Sequence, residues 1–277
     1  MTQLKRLIRT SRPRFWLYLA GPVLVGFVFG ADQPDGLVTP LVIATFLYFL
    51  IPANLYLYGI NDIFDADIDH LNPKKAGPER RFQGDPVVVI AVLASLLLGL
   101  ILLVAAPLTA GVWYLGFLLL ATAYSLPPIH LKRRPFLDSI SNGLYILPGV
   151  GAYVSVTGVL PPIEIIAGAW LWTMAMHTFS AIPDIEPDRT GGIETTATFL
   201  GRNRTLIYCF AVWSAAALSF VLVDVQAGLL LSIYPVLVVT VHLMGVAITR
   251  AYWWYPWINA TVGMVFTIFG LWGLLYG

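Results

Sequence analysis

Charge is what this sequence has least of. Lys, Arg, Asp and Glu make up 11% of its 277 residues, where a soluble domain carries about 25%. Hydrophobic residues make up 58%, and mean hydropathy is +0.79. These values exclude a soluble globular domain and point to a polytopic membrane protein in a lipid bilayer. Cysteine is nearly absent as well. The single one, Cys209, lies in an apolar run, so there is no disulfide framework and no cysteine metal site. Neither sign of charge is in excess, and no basic block is interleaved with aromatics. No nucleic acid is expected as a partner.

What is abundant is apolar runs. Nine segments are long enough to span a bilayer, at 14–31, 37–60, 86–106, 109–127, 136–157, 162–182, 204–223, 227–248 and 256–275. Membrane helices tolerate the prolines inside them, such as Pro22, Pro52 and Pro148. The expected fold is all-α, with nine transmembrane helices forming two four-helix units plus a ninth helix around a central cavity. Residues 1–277 are expected to form one membrane-embedded domain. Lys5, Arg6, Arg9, Arg12 and Arg14 precede the first run, but no small-residue cleavage site with a soluble domain follows. The N-terminus is therefore expected in the cytoplasm.

The other cations test that placement. If each segment crosses once, Lys74, Lys75, Arg80, Arg81, Lys132, Arg133, Arg134, Arg189, Arg202, Arg204 and Arg250 fall on the same side as the N-terminal five. All 16 Lys and Arg then lie on one side, as the positive-inside rule requires. An integral plasma (inner) membrane protein is expected, with its polar site facing the cytoplasm.

Acidic residues gather at the ends of two segments. Asn61-Asp62-Ile63-Phe64-Asp65-Ala66-Asp67-Ile68-Asp69 follows the second, and Asp184-Ile185-Glu186-Pro187-Asp188 follows the sixth. On a helix, Asp62, Asp65 and Asp69 share one face, and Asn54, Tyr58 and Asn61 extend it backwards. Aligned carboxylates repel unless a cation sits among them, and hard oxygen ligands suit Mg²⁺, with Mn²⁺ as the alternative ion. Two such groups at one cavity suit a diphosphate held through metal: Asp62, Asp65, Asp69, Asp184 and Asp188 are the candidate metal and catalytic residues. Pro187 within the second group argues for a kink or turn there. Arg12, Lys74, Lys132 and Arg133 are candidates for neutralising phosphate charge. Tyr124 and Ser125, at the end of the fourth segment, are candidate hydrogen-bond donors.

Metal and diphosphate at the mouth of an apolar, aromatic-rich cavity suit ionisation of an allylic diphosphate. The expected partners are a prenyl diphosphate donor and an apolar, membrane-dissolved acceptor, with water excluded until the new bond forms. A transporter would place its charges near mid-span with a path to both sides. Other polar residues are less informative: His177 reads as a packed hydrogen-bond partner, and Asp138 with Asn142 as groups that could orient the basic loop above them. Tyr252, Trp253, Trp254, Tyr255 and Trp257 read as an aromatic belt at headgroup level.

These motifs resemble the UbiA superfamily of intramembrane prenyltransferases. Asn61, Asp62, Asp65 and Asp69 match its N-D-x-x-D-x-x-x-D motif, and Asp184 and Asp188 its D-x-x-x-D motif. Tyr124, Ser125 and Lys132 match its Tyr-Ser before a basic loop, and Arg12-Pro13 its Arg-Pro opening. The resemblance covers the whole chain. It implies nine helices with a cytoplasmic polar cap over a lipid-facing opening, and Mg²⁺-dependent transfer from a prenyl diphosphate. Stretches 61–75 (NDIFDADIDHLNPKK) and 179–201 (FSAIPDIEPDRTGGIETTATFLG) look like the lycopene elongase branch. That likeness implies a dimethylallyl donor and a carotenoid acceptor, ending in proton loss or hydration. An aromatic or quinone-precursor acceptor is the alternative.

Overall fold

The computed structural model describes residues 2–66 and 84–277. Its helices are α1 (Gln3–Thr10), α2 (Trp16–Gly30), α3 (Pro40–Leu50), α4 (Pro52–Phe64), α5 (Pro86–Ala105), α6 (Leu108–Ser125) and α7 (Leu137–Ile140). They continue with α8 (Leu147–Thr157), α9 (Ile163–Ser180), α10 (Ile185–Thr190), α11 (Thr196–Val221), α12 (Val225–Leu231), α13 (Ile233–Leu243) and α14 (Ile248–Tyr276). No strand occurs among the described residues. Eight helical stretches there are long and apolar enough to cross a membrane, and the all-α membrane fold stands.

The fifth expected span, at 136–157, is broken into α7, a 3₁₀ turn at Ser141–Tyr145 and α8. Local polar side chains compete with the helical ladder there. Ser141 Oγ donates to the Leu137 carbonyl at 2.6 Å, and Trp170 Nε1 donates to the Ile140 carbonyl at 2.9 Å. The fifth and ninth spans are each divided between two compact units. One unit holds Met1–Ile129, Leu147–Leu160 and Gly263–Gly277; the other holds His130–Ile146 and Pro161–Val262.

In the first unit, α2 and α8 approach at backbone distance. A Cβ on Gly26 would lie 2.2 Å from the Gly149 carbonyl oxygen, and one on Gly30 would lie 2.6 Å from Val156 Cγ2. Gly26 and Gly30 form a G-x-x-x-G pair, the arrangement that lets membrane helices pack without side chains between them. The second expected span breaks at Ile51, before Pro52. Asn54 bridges that break: its Nδ2 donates to the Phe49 and Leu50 carbonyls, each at 3.0 Å.

The second unit is built on a buried aromatic core. Trp213 stacks on Tyr255 at 5.6 Å and on Tyr234 at 5.4 Å. Tyr234 donates to Asn259 Oδ1 at 2.7 Å, which supplies the polar partner a buried phenol needs. Tyr255 is 3% exposed, whereas Trp257 is 77% exposed. The expected aromatic belt is thus divided: Tyr255 turns into the core and the tryptophans face outward. Cys209 is fully buried, as expected of a packed apolar side chain. The seventh span begins at Thr196 rather than near 204, because Thr195 and Thr198 form a reciprocal capping box. Gly201, at φ 72°, then kinks the helix.

Candidate active site

Arg12 leaves α1 in a left-handed conformation, φ 50° and ψ 74°. That conformation is disfavoured for a side chain with a Cβ, and Pro13 behind it disfavours the helical alternative. The turn is held by Arg12 N–H to the Arg9 carbonyl at 3.2 Å and Phe15 N–H to the Arg12 carbonyl at 2.9 Å. It aims the guanidinium at α4. Arg12 Nη2 donates to Asp62 Oδ1 at 3.0 Å, and Arg12 Cζ lies 4.6 Å from the Tyr58 ring centroid. Tyr58 and Asp62 are one turn apart on α4, so a single cation bridges both. Asp62 is only 5% exposed; burial raises the worth of the pair and the cost of breaking it.

Asn61 is half-buried beside Asp62, and Asp65 caps the C-terminal end of α4 with its N–H on the Asn61 carbonyl. Asp69 and Lys74 lie outside the described residues. Asn54 sits two turns before Asp62 with no exposed surface; its amide is engaged by the backbone at the α3–α4 break. At the end of α6, Ser125 is buried and Tyr124 half-buried. Arg6, which no motif marks, pairs with Asp85, whose carboxylate also accepts from the Val87 N–H at 3.1 Å. That pair ties α1 to the start of α5.

In the second unit, Lys132 and Arg133 are half-buried in a 3₁₀ turn, Leu131–Arg133. The second acidic group begins on a 3₁₀ turn at Ile182–Asp184. Asp184 is the N-cap of α10, and Asp188 lies one turn on. The kink expected at Pro187 falls before Ile185 instead. Pro187 occupies the first turn of α10, where a missing N–H removes no intrahelical bond. Asp188 is fixed through its carbonyl, which accepts from the Ile193 N–H at 2.8 Å. Arg189 reaches Glu186 at 3.2 Å and the Thr198 carbonyl at 3.1 Å.

The donor chemistry of each acidic group fits Mg²⁺. Each offers carboxylates spaced at one helical turn, and Mg²⁺ takes one or two carboxylates, leaving phosphate oxygens and water to complete its octahedron. Among the described residues no three His, Cys, Asp or Glu side chains gather in one place.

The profile of the UbiA prenyltransferase family matches residues 19–266. The chain belongs to the UbiA prenyltransferase family. This prenyltransferase is 57% identical over 270 residues to the lycopene elongase/hydratase of Halobacterium salinarum, covering 96% of this chain and 97% of that one. It is 56% identical to the lycopene elongase/hydratase of Haloarcula japonica, covering 100% of this chain and 94% of that one. Its fold matches a UbiA homolog from Archaeoglobus fulgidus solved with GPP and Mg²⁺, at TM-score 0.71 and 21% identity over 97% of this chain and 99% of the other. The prenyltransferase is an integral membrane protein by its apolar helices and its family.

Proposed function

We propose that this prenyltransferase moves a five-carbon dimethylallyl group from its diphosphate to the end of a bilayer-dissolved carotenoid such as lycopene, and that water can join the product. The observation that carries the acceptor is the identity of 56–57%, along nearly the whole chain, with relatives named lycopene elongase/hydratase. Asp62, Asp65 and Asp69 in the first acidic group, and Asp184 and Asp188 in the second, would each hold Mg²⁺, which when bound neutralises the departing diphosphate. Arg12, Lys74, Lys132 and Arg133 bind diphosphate oxygens; Asn61, Tyr124 and Ser125 supply hydrogen bonds. Tyr58 fixes the Arg12 guanidinium from below.

The allylic C–O bond breaks and its electron pair leaves with the diphosphate. The terminal double bond of the acceptor then attacks the allylic cation, forming a C–C bond and leaving a tertiary cation. That cation loses a proton from a neighbouring carbon, or water adds and its extra proton departs. Water must be kept from the allylic cation until the C–C bond exists. The one-sided distribution of all 16 cations supports a cytoplasmic face for this chemistry in the plasma membrane.

The test is expression in a bacterium that accumulates lycopene, with carotenoids read by mass. Products heavier by one or two C5 units, with or without water, are expected. Unchanged lycopene, with the protein present in the membrane, would overturn the carotenoid acceptor and favour an aromatic one. Membranes treated with EDTA should lose turnover and recover it with Mg²⁺; full turnover in EDTA would remove the metal from the reading.

A further inference from the structure

We infer that Asp138 and Thr196 are positioning residues that lock the cationic turn to the second acidic group through the first turn of α11. The inference rests on the proposed diphosphate site and adds the parts that hold its second half in register. All the residues concerned lie in one compact unit.

Asp138 has no exposed surface. A buried carboxylate is costly unless its oxygens are satisfied, and here α11 satisfies them. Asp138 Oδ2 accepts from the Thr196 N–H at 3.0 Å, and Oδ1 accepts from the Thr196 hydroxyl. The same hydroxyl oxygen accepts from the Phe136 N–H at 2.7 Å. His177 Nε2 lies 3.7 Å from Oδ2. The carboxylate thus accepts from both donors that Thr196 offers.

Capping alone does not call for it. Thr195 and Thr198 already close a reciprocal box at that helix end. What Asp138 adds is a connection between segments 58 residues apart in sequence. On one side of it the chain has no slack. Asp138 N–H donates to the Arg134 carbonyl at 3.0 Å, Arg134 N–H to that of Leu131 at 3.2 Å, and Arg133 N–H to that of His130 at 3.0 Å. Phe136 and His130, at φ 67° and 42°, hold left-handed turns in the same stretch. Lys132 and Arg133 therefore move with Asp138. On the other side, Arg189 Nη2 on the Thr198 carbonyl and Ile193 N–H on the Asp188 carbonyl tie α10 to the same helix turn. A shift of Thr196 would displace the cations relative to Asp184 and Asp188. Small displacements of groups that clamp a charged substrate are expensive.

The variant T196V removes the shared hydroxyl and keeps the shape; T196S restores it. Donor KM and kcat are measured in membranes, and melting of the purified full chain is followed with and without inorganic pyrophosphate and Mg²⁺. T196V is expected to raise donor KM about tenfold, the scale of one lost hydrogen bond to a charged group. It should also shrink the stabilisation by pyrophosphate, and T196S should restore both. The double variant K132A/T196V should be no worse in donor KM than K132A, because both changes act on one unit. Should T196V fail to fold, D138N, which keeps an acceptor for the Thr196 N–H, carries the same measurements. A T196V protein with lower melting temperature or kcat, but unchanged donor KM and pyrophosphate response, would overturn the inference. So would T196V and K132A effects that multiply. If K132A and R133A both leave donor KM unchanged, the diphosphate reading of this turn fails, and the inference with it; a response to K132A with T196V silent removes the inference alone.

Discussion

The two acidic groups are built differently. The first continues a spanning helix: Asp62 is buried and already carries a partner cation, Arg12, that stacks on Tyr58. The second comes after the spanning helix has ended, on a 3₁₀ turn and a short helix, with Asp184 and Asp188 half-exposed. The backbone around the second group is held where the Asp188 carbonyl accepts from the Ile193 N–H and Arg189 reaches the Thr198 carbonyl. The difference teaches that similar motifs can sit on different supports: a buried helix face in one place, and a half-exposed turn and short helix in the other. Changes of side chain should therefore be felt more broadly at the first group than at the second.

The largest effect on that contrast should come from the carboxylates themselves. Asp62→Ala and Asp184→Ala are each expected to cut turnover by at least about 10²–10³-fold. Asp62→Ala should lower the melting temperature more than Asp184→Ala, because Asp62 is buried against Arg12 whereas Asp184 is half-exposed. Equal melting temperatures for the two variants would erase the distinction. Next, Arg12→Lys keeps the charge but loses the planar fork and the stack on Tyr58. About a tenfold rise in donor KM is expected, and wild-type kinetics would show that a point charge suffices. Asn54→Ala should cost about 1–3 kcal/mol of stability by freeing the carbonyls at the α3–α4 break, with donor KM unchanged. A raised donor KM at constant stability would return Asn54 to the substrate. The smallest effect is expected of Pro187→Ala, about 0.4–1 kcal/mol from added freedom in the unfolded chain. A large loss of turnover there would mean that the second group needs its proline after all.

Much of the fold is legible in the sequence, because span length, apolar content and the placement of cations are local signals. The breaks are harder to read. Pro52 announces one, but that Asn54 would close it depends on geometry two residues along. The fifth span looks continuous by hydropathy, yet the Ile140 carbonyl is taken by Trp170 at the break. At the site, spacing alone puts Asp62 and Asp65 on one face with Tyr58. The Arg12 partnership is not visible, since it depends on a left-handed turn at a residue 50 positions away. Asp138 could be suspected from its place below the basic loop, but its partner Thr196 could not. The capping pattern of Thr195 and Thr198 was the available clue that α11 starts early enough to present Thr196.

The seam between α2 and α8 has a consequence for the conditions this protein withstands. Gly26, Gly30 and Gly149 meet there through backbone and small apolar groups, with no charge on either side. Dissolved ions screen attraction between exposed charges more than about 10 Å apart at 0.1 M salt, and between closer ones as salt rises, but they have no purchase on a steric fit. The seam should hold equally in dilute buffer and in brine. Its sensitivity is instead to bulk, so that one methyl group on Gly26 would wedge apart helices that no change of ionic strength could separate.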